Sequence, residues 1–568
     1  MRNFINLFAV SFILPNLCIA NLFGSEFFSP INFVDPPPVV DLSKILDSFE
    51  NVPPMGLYAE GHDRRIDLIW DRVSQTDQDH FNIYRAEHPD GPWLKLNAYP
   101  HSIHVYSDYT GVNDQRFYYR VTRCFENVRR DQAKEAWFSI ETQGSTGTSA
   151  VSIECDDELL LTSIQKACFR YFWHFGHPVS GLAREGYLRH RDTTTTGGTG
   201  FGMLTILVGV ERGFVKREQA ALRLLKMVTF LGEKAERYHG IWAHHLRGDT
   251  GETIPFDGKL DNGGDVVESA FLMQGMLTVR EYFDRYNEVE VELRQRITKL
   301  WLEAEWSWYL QPNTTSLTWH WSPDYGFEKN HRFNGFNECM IAYLLAMASP
   351  TYPIHVDHYY SGWVNDANNY VNGSTYYGIT QPVGAAMGGP LFFTHYSFLA
   401  LDPSKVNDLY TNYYENNRAI SLIHHRYAID NPNGHDGYSD LVWGLTSSYN
   451  RNGYKAHEPR VGQHSRDDGT ITPTAALCAM PYTPEESMAT LKHFYYDLGP
   501  DIWGPFGFYD AFNISQEWIS PGFLAIDQGP IAPMIENHRT GLLWKVFMRS
   551  EVGVRIIQKI RIARPVVE

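Results

Sequence analysis

Two different hydrophobic periods divide the chain. Up to about residue 142, apolar side chains alternate with polar ones, as in the runs 66–70 and 117–121. A period of two is typical of strands with one buried face. Turn-forming stretches such as Pro89-Asp90-Gly91-Pro92 separate the runs. Short strands with frequent turns predict a small all-β sandwich at residues 51–142.

From residue 152 onward the period changes to 3.6. Leu224, Val228 and Leu231 repeat at helical spacing behind Arg217. The order Thr483-Pro484-Glu485-Glu486 is that of a capping box with proline at the first helical position. Further helices are predicted at 158–175, 265–284, 292–310, 334–348, 406–425, 471–480 and 527–549. Because strands do not alternate with helices, the pattern favours an all-α closed ring of helical hairpins over a parallel sheet.

The segments before and between these two regions differ from them in composition. Residues 1–20 combine Arg2, an apolar stretch and the small-residue exit Cys18-Ile19-Ala20, which predicts a signal peptide cleaved near Ala20. Residues 21–50 are interpreted as a spacer and 143–151 as a flexible linker. No later segment has the ~18 uncharged apolar residues of a membrane span. We therefore expect an exported protein, periplasmic or secreted.

Charge and cysteine content narrow the classes of partner. Lys and Arg total 49 against 66 Asp and Glu, a net charge of -17, which argues against nucleic acid as a partner. Aromatic residues make up 14% of the chain, and their faces stack on sugar rings as well as in cores. The cysteines after Cys18 show no metal-ligand spacing and are interpreted as free thiols, with one disulfide left open. They are Cys124, Cys155, Cys168, Cys339 and Cys478.

Candidate chemistry concentrates in carboxylates at predicted starts of helices. Asp265 and Glu268 follow Gly263-Gly264 and share one face of a first helical turn, where capping alone would also explain them. Glu338 and Asp527 lie at comparable junctions, among aromatic and amide side chains. Inverting hydrolysis of a glycoside needs one protonated carboxylic acid and one carboxylate that activates water. These four residues are therefore the catalytic candidates.

Several motifs in order resemble glycoside hydrolase family 144, the "glycoamylase-like" domain of bacterial β-1,2-glucanases. The matching segments are 196–202 with 209–214, 261–268, 334–338, 388–393, 440–446, and 525–530 with 536–541. The resemblance implies an (α/α)6 barrel as the catalytic domain, placed at 152–568. It also implies hydrolysis of β-1,2-glucan with inversion, by endo cleavage or by release of sophorose. The β-patterned region 51–142 resembles a fibronectin type III domain.

The role expected of each catalytic candidate follows partly from the residues around it and partly from the resemblance. Glu338 is the expected general acid, because the apolar run 340–345 behind it raises a carboxyl pKa. Asp527 is the expected base or water-positioning group. Asp265 and Glu268 are assigned to substrate hydrogen bonds and to keeping the acid protonated, although either could be the base instead.

The expected substrate-binding residues come from loops rich in aromatic and polar side chains. They are Trp319, Trp321, Tyr325, His331, His395, Tyr396, Asp440, Trp443 and Arg539. The many histidines lack metal-site spacing, so we expect no metal and no cofactor. Two other interpretations stay open: an enzyme for another linkage, such as an α-glucan hydrolase or a polysaccharide lyase, and a non-catalytic exported protein that binds glycans.

Overall fold

The computed structural model describes residues 53–72, 79–127, 138–462 and 466–563. The predicted signal peptide at 1–20 and spacer at 21–50 lie outside the described residues. Within the described part of the chain, no helix is both long and apolar enough to cross a membrane.

Helices are the main regular structure of the chain after residue 156. In chain order they are α1 (Asp157–His174), α2 (Thr196–Glu211), α3 (Arg217–Glu233), α4 (Val266–Tyr282), α5 (Glu288–Glu303), α6 (Met340–Ala348), α7 (Ala367–Tyr370), α8 (Tyr413–Asp430), α9 (Pro473–Cys478), α10 (Pro484–Tyr496), α11 (Gly499–Ile502), α12 (Ala525–Arg539), α13 (Leu542–Arg549) and α14 (Glu551–Ile562). Short 3-10 turns at Leu391–Thr394 and Tyr396–Phe398 occupy the position of a further helix between α7 and α8.

Most predicted helices are confirmed, but several differ at their ends, and the helix predicted at 406–425 spans Tyr413–Asp430. The helix predicted at 334–348 begins only at Met340, so Glu338 lies in the loop before it. The helix predicted at 527–549 is two helices, because Gly541 adopts a left-handed conformation (φ 67°) between α12 and α13. The capping box at Thr483 is wrong: its hydroxyl makes no cap bond and instead donates to the carbonyl of Ala479.

The helices with the most buried residues pack side by side. Helix α2 contacts α4 and α12, and α4 also contacts α6. Glycines allow the α2–α4 approach: a Cβ on Gly200 would lie 2.3 Å from the Phe271 carbonyl oxygen, and one on Gly275 would lie 2.4 Å from the Gly200 carbonyl oxygen. These helices are adjacent at their N-terminal ends, since the Gly197 N–H donates to the Glu268 side chain. The loops that precede α2 and α4 therefore meet at the N-terminal ends of these two helices.

The strands of the N-terminal region are β1 to β8, and they form two antiparallel sheets. One has the order β1-β2-β5 and the other β4-β3-β6-β7, with β8 paired to β6. Their bounds are β1 (Tyr58–His62), β2 (Arg65–Ile69), β3 (His80–Ala86), β4 (Leu94–Lys95), β5 (Val105–Tyr109), β6 (Arg116–Asn127), β7 (Phe138–Glu141) and β8 (Thr148–Val151).

The helical region also contains short two- and three-stranded antiparallel sheets. Their strands are β9 (Thr193–Thr195), β10 (Arg237–Tyr238), β11 (Ile241–Trp242), β12 (His245–Arg247), β13 (Thr253–Ile254), β14 (Gly264–Asp265), β15 (His320–Trp321), β16 (Thr375–Tyr376), β17 (Ile379–Thr380), β18 (Ser447–Asn450), β19 (Gly453–Ala456), β20 (Trp503–Gly504), β21 (Gly507–Phe508), β22 (Phe512–Asn513) and β23 (Trp518–Ile519). The pairing of β14 with β15 sets Asp265 opposite His320.

The chain divides into two compact units that do not follow the expected boundary at residue 142. The larger unit contains Ala59–Ile69 and Ile103–Arg116 together with everything from Ala150 onward. Most of the β1-β2-β5 sheet thus belongs to the helical unit, where the buried Arg65 donates to the Tyr495 hydroxyl of α10.

The stretch 143–151 is not a flexible linker. It contains β8, and the Ser145 N–H donates to the Val121 carbonyl within the smaller unit. These residues are ordered because their backbone groups continue the pairing of β6. The expectation of free thiols is confirmed for the five cysteines of the described residues, of which all except Cys155 are buried.

Candidate active site

Asp265 caps helix α4. It is fully buried, and its Oδ1 accepts hydrogen bonds from the N–H groups of Val267 (3.0 Å) and Glu268 (2.9 Å). Its Oδ2 lies 3.2 Å from His244 Nδ1 and 3.8 Å from His320 Nδ1. One carboxylate therefore serves both the helix N-terminus, as its spacing suggested, and a histidine pair.

Glu268 follows one turn later and is 7% exposed. Its Oε2 accepts the Gly197 N–H at 3.0 Å, and its Oε1 lies 4.0 Å from His244 Nε2. Burial and the negative charge of Asp265 raise the pKa of Glu268 to about 7, against the opposing effect of His244. Burial lowers the pKa of His244, but Glu268 and Asp265 outweigh it and bring that pKa to about 10. The three groups thus form a carboxyl–imidazolium cluster at the start of α4.

Glu185 extends this cluster towards helix α12. Its Oε2 lies 3.1 Å from His245 Nε2. Burial would raise the pKa of Glu185, yet His245 and His244 hold it at about 2. The resulting negative charge raises the pKa of both Glu268 and Asp527. Glu185 is therefore an electrostatic neighbour of carboxylates on two different helices.

Glu338 lies in the loop two residues before α6 and is half-buried. Its backbone carbonyl accepts a hydrogen bond from the Ser397 hydroxyl, which in turn accepts the Ile341 N–H at 3.0 Å. Burial raises the pKa of Glu338 to about 7, so the carboxyl is substantially protonated near neutral pH. Burial raises the pKa of the adjacent Cys339 thiol well above its usual range, and the charges of Glu338, Asp265 and Glu268 add to this effect.

Asp527 occupies the first turn of α12 and is 2% exposed. Among the described residues, neither of its oxygens has an ordinary hydrogen-bond donor. The carboxyl faces the carboxyl of Asp510 and the hydroxyl of Tyr396. Burial and the charge of Asp510 raise the pKa of Asp527 well above its usual range, and burial raises that of Asp510 to about 6. A hydrogen bond between two carboxyl groups requires a proton on one of them, so this pair retains a proton.

Comparison with known proteins identifies the family. The glucoamylase family model named Glycoamylase matches residues 330–551. An exo-β-1,2-glucooligosaccharide sophorohydrolase (non-reducing end) from Parabacteroides distasonis is 42% identical over 530 residues, covering 89% of this chain and 70% of the relative. The chain belongs to glycoside hydrolase family 144.

Solved structures of similar proteins agree with this assignment. The β-1,2-glucanase from Parabacteroides distasonis superposes with a TM-score of 0.83 at 41% identity, covering 89% of this chain and 73% of that one. The endo-β-1,2-glucanase from Chitinophaga pinensis gives a TM-score of 0.69 at 44% identity, over 72% of this chain and 98% of that one. The endo-β-1,2-glucanase from Talaromyces funiculosus, at 10% identity and a TM-score of 0.53, shares the fold alone, over 73% of this chain and 93% of that one.

Of the predicted binding residues of this family 144 chain, four lie on one loop beside α4. Trp319 stacks between His320 (5.6 Å) and His331 (5.1 Å), and its carbonyl accepts the Val266 N–H. Trp321 packs against Tyr238 and His239, and Tyr325 is 48% exposed. The loop is thus fastened to the helix end that carries Asp265 and Glu268.

Three further predicted residues have mixed settings. Tyr396 is buried against Phe201, and its hydroxyl faces the Asp527 carboxyl. His395 is buried, and burial together with His424 lowers its pKa to about 3, which makes it a neutral core histidine. Asp440 has an exposed side chain, while its carbonyl accepts a hydrogen bond from His425.

Two predicted binding residues are wrong. Trp443 is fully buried and packs edge-on against His425, so its ring has no face for a sugar. Arg539 lies twelve residues after Asp527 on α12, about 18 Å along the axis. Its guanidinium holds Glu158 at 2.6 Å and Gln165 at 2.7 Å, so its role is to join α12 to α1.

Sequence reasoning missed the groups that support the carboxylates. His244 and His245 were weighed only as metal ligands, and within the described residues no group of three or more His, Cys, Asp or Glu could hold a metal ion. Glu185 and Asp510 carry no recognisable local signal. Phe256, which is 54% exposed and stacks on His244 at 4.1 Å, is an aromatic surface beside the cluster that was also missed.

Proposed function

We propose that this protein is an inverting glycosidase that hydrolyses β-1,2-glucan. One observation carries the proposal. Glu268 lies in the first turn of α4, Asp527 lies in the first turn of α12, Glu338 lies in the loop before α6, and each of these carboxyls has a raised pKa. Inversion requires a protonated acid on one side of the sugar and a base on the other. The relatives from Parabacteroides distasonis and Chitinophaga pinensis, named for β-1,2-glucan substrates, supply the linkage.

Glu338 is the general acid in this proposal. Its pKa of about 7 keeps a proton available for the leaving oxygen. Asp527 accepts a proton from the attacking water, whose oxygen bonds to the anomeric carbon while the glycosidic bond breaks. Asp265 and Glu268, fixed by His244 and by the α2 and α4 backbones, hydrogen-bond the sugar and keep negative charge near the acid. The alternative that Asp265 or Glu268 is the base is decided by the variants below.

Aromatic side chains beside the cluster form the proposed sugar-binding surface. The exposed face of Phe256 lies over His244, next to Asp265. The loop that carries Trp319 and Trp321 provides further faces and polar edges near the same helix end. The remaining proposed contacts are Tyr325, His331, Tyr396 and Asp440.

The finer architecture belongs to the same proposal. Helices α2, α4, α6, α9 and α12, with the 3-10 turns at 391–398, form the inner ring of an (α/α)6 barrel. Adjacent contacts along the ring, together with the bond from the Tyr482 hydroxyl to the Thr394 carbonyl, support closure. We further propose that residues 51–142 are a fibronectin type III-like sandwich, although most of its β1-β2-β5 sheet belongs to the larger unit, that the catalytic domain lies mainly at 152–568, and that residues 1–20 direct export to the periplasm or the medium.

The match to the sophorohydrolase, at 42% identity over 89% of this chain, supports release of sophorose. The endo-acting relative, at 44% identity over 72% of this chain, supports endo cleavage as the alternative. The test is incubation with linear β-1,2-glucan, and in parallel with starch and β-1,3-glucan, with chromatography of the products. Sophorose alone supports exo action, and a ladder of β-1,2-oligomers means endo action. Glucose from starch, unsaturated uronates from a polyuronate, or no reaction with any glycan would refute the proposal.

The Glu338→Gln variant tests the acid, and Asp527→Asn tests the base. Each should keep the fold and lose nearly all hydrolysis of β-1,2-glucan, since removal of a general acid or base costs about 10²- to 10⁴-fold. A loss of only a few-fold in Asp527→Asn would move the base to Asp265 or Glu268.

A further inference from the structure

Asp510 is a buried carboxyl that forms no ion pair within the described part of the chain. It is 2% exposed, and its Oδ2 accepts the Tyr449 N–H at 2.7 Å. Its Oδ1 has no ordinary donor among the described residues, as is also true of both oxygens of Asp527. Burying two carboxyls against each other, with only the Tyr449 N–H and the facing Tyr396 hydroxyl as neighbouring donors, is costly for a fold, so the arrangement calls for a functional explanation.

The backbone holds the two carboxyls together. The Gln528 side chain, next to Asp527, donates to the Phe508 carbonyl at 2.9 Å. Phe512, two residues after Asp510, exchanges backbone hydrogen bonds with Ile471, and the Asp510 N–H donates to the carbonyl of Gly522 at 3.1 Å. The segment 508–512 is thereby fixed against the first turn of α12. The backbone segments that carry the two carboxyls are therefore held close to each other.

The surroundings make Asp510 the better place for negative charge. Asp510 has the Tyr449 N–H and the nearby His457, although that imidazole also lies 3.4 Å from Asp468. Asp527 faces the negative charge of Glu185. The proton retained by the pair therefore resides on Asp527 and is donated to Asp510. The titratable groups that face the pair are Glu185, His457, Tyr171, Tyr396, Tyr449, Tyr454 and Cys478.

We propose that Asp510 is a positioning residue that makes Asp527 a base: the two carboxyls share one proton, and Asp510 takes up the proton of Asp527 when Asp527 receives one from water. The inference rests on the proposed function of Asp527. It explains how a carboxyl that carries a proton in the resting site can still accept one.

The step balances in protons and charge. One O–H bond of the water breaks, and its proton goes to the free oxygen of Asp527 while the shared proton passes to Asp510. The water oxygen bonds to the anomeric carbon, the glycosidic C–O bond breaks, and the departing oxygen takes the proton of Glu338. The pair changes from one negative charge to none, and Glu338 changes from neutral to one negative charge.

Asp510→Asn tests the inference, because asparagine can still accept the Tyr449 N–H. We expect kcat on β-1,2-gluco-oligosaccharides to fall by about 10²-fold or more, with KM changed less than about threefold. We also expect a higher melting temperature than wild type at pH 8, with the gain shrinking towards pH 4. The sign follows from linkage: a carboxyl whose pKa is raised in the folded state loses its contribution to stability as the pH rises, and the amide removes that loss.

The matched control is Asp467→Asn. Asp467 is also buried, but it accepts hydrogen bonds from the Tyr427 (2.8 Å) and Tyr438 (2.6 Å) hydroxyls, and its pKa is lowered. This variant should lose stability at neutral pH and keep kcat. If Asp510→Asn behaves like the control, or if its stability gain does not depend on pH, Asp510 is structural and the inference fails.

The Asp527→Asn variant distinguishes failure of the inference about Asp510 from failure of the proposed function. It also provides the stability measurement if Asp510→Asn does not fold. Each single amide should give the pH-dependent gain in melting temperature, and the double variant should add little to it, because either substitution abolishes the shared proton. An active Asp527→Asn enzyme overturns the proposed base. An inactive Asp527→Asn beside a fully active Asp510→Asn overturns only the role of Asp510.

Discussion

Replacing Gly197 with alanine should damage the site without damaging the helix that contains it. Gly197 is the second residue of α2, and its N–H donates to Glu268 Oε2 at 3.0 Å. A Cβ at this position would lie 2.2 Å from that oxygen and 3.1 Å from the ring of Phe271. Alanine is otherwise the better helix former, by about 0.5–1 kcal/mol. The substitution should therefore make the helix itself more stable while it displaces the Glu268 carboxyl.

The carboxyl should give way, because it ends a side chain whereas the ring of Phe271 is packed. A hydrogen bond to a charged group contributes about 1.5–3 kcal/mol, so its loss should lower kcat/KM by roughly 10- to 100-fold. Gly232→Ala in α3 is the matched control, since its Cβ would meet nothing nearer than Leu300 at 3.5 Å. The assay is kcat/KM on β-1,2-gluco-oligosaccharides together with thermal unfolding. Wild-type kcat/KM in Gly197→Ala would refute the view that Glu268 must occupy this position.

Three further predictions follow from particular contacts. Because Glu338 must be protonated and its pKa is about 7, hydrolysis should decline as the pH rises through 7, and a kcat/KM profile level to pH 9 would contradict this. Arg539→Ala should lower the melting temperature by breaking the link to Glu158 while KM stays unchanged, whereas a large rise in KM would return Arg539 to the binding site. Arg65→Leu, which breaks a buried ion pair, should cost about 3–5 kcal/mol in denaturant unfolding, against at most about 1 for the partly exposed Arg296→Leu.

Helix α2, which the sequence did not predict, is almost entirely buried. Helix α2 contains Gly197, Gly198, Gly200, Gly202 and Gly209, and glycine disfavours helix formation by about 1 kcal/mol per residue relative to alanine. Judged by propensity alone, the segment is a loop. It is a helix because every one of these glycines faces a neighbouring side chain or backbone that a Cβ would meet. Tertiary packing therefore outweighs local propensity, and no periodicity within the segment could reveal it.

The candidate site also contains some residues that the sequence could place and others that it could not. Asp265 and Glu268 could be placed together from their spacing, since residues three apart share a helix face. Asp510 and Glu185 could not, because each reaches the site through contacts with segments far away in sequence. Trp443 and Arg539 were misplaced for the converse reason. A matching motif shows only the type of an aromatic or basic residue, and that type is the same whether the side chain lines a cleft or joins two helices.

The position of the acids at helix N-termini creates an apparent conflict. A helix N-terminus stabilises a carboxylate by at most about 1 kcal/mol at an exposed end and so favours a low pKa. Glu268 nevertheless has its pKa raised from 4.5 to about 7, which corresponds to roughly 3 kcal/mol in the opposite direction. Burial and the charge of Asp265 outweigh the helix, and both exist only when α2, α4 and the loops around them are assembled. Capping and catalysis are thus compatible at one helix end: the isolated helix would make this carboxyl a stronger acid, and the packed protein makes it a weaker one.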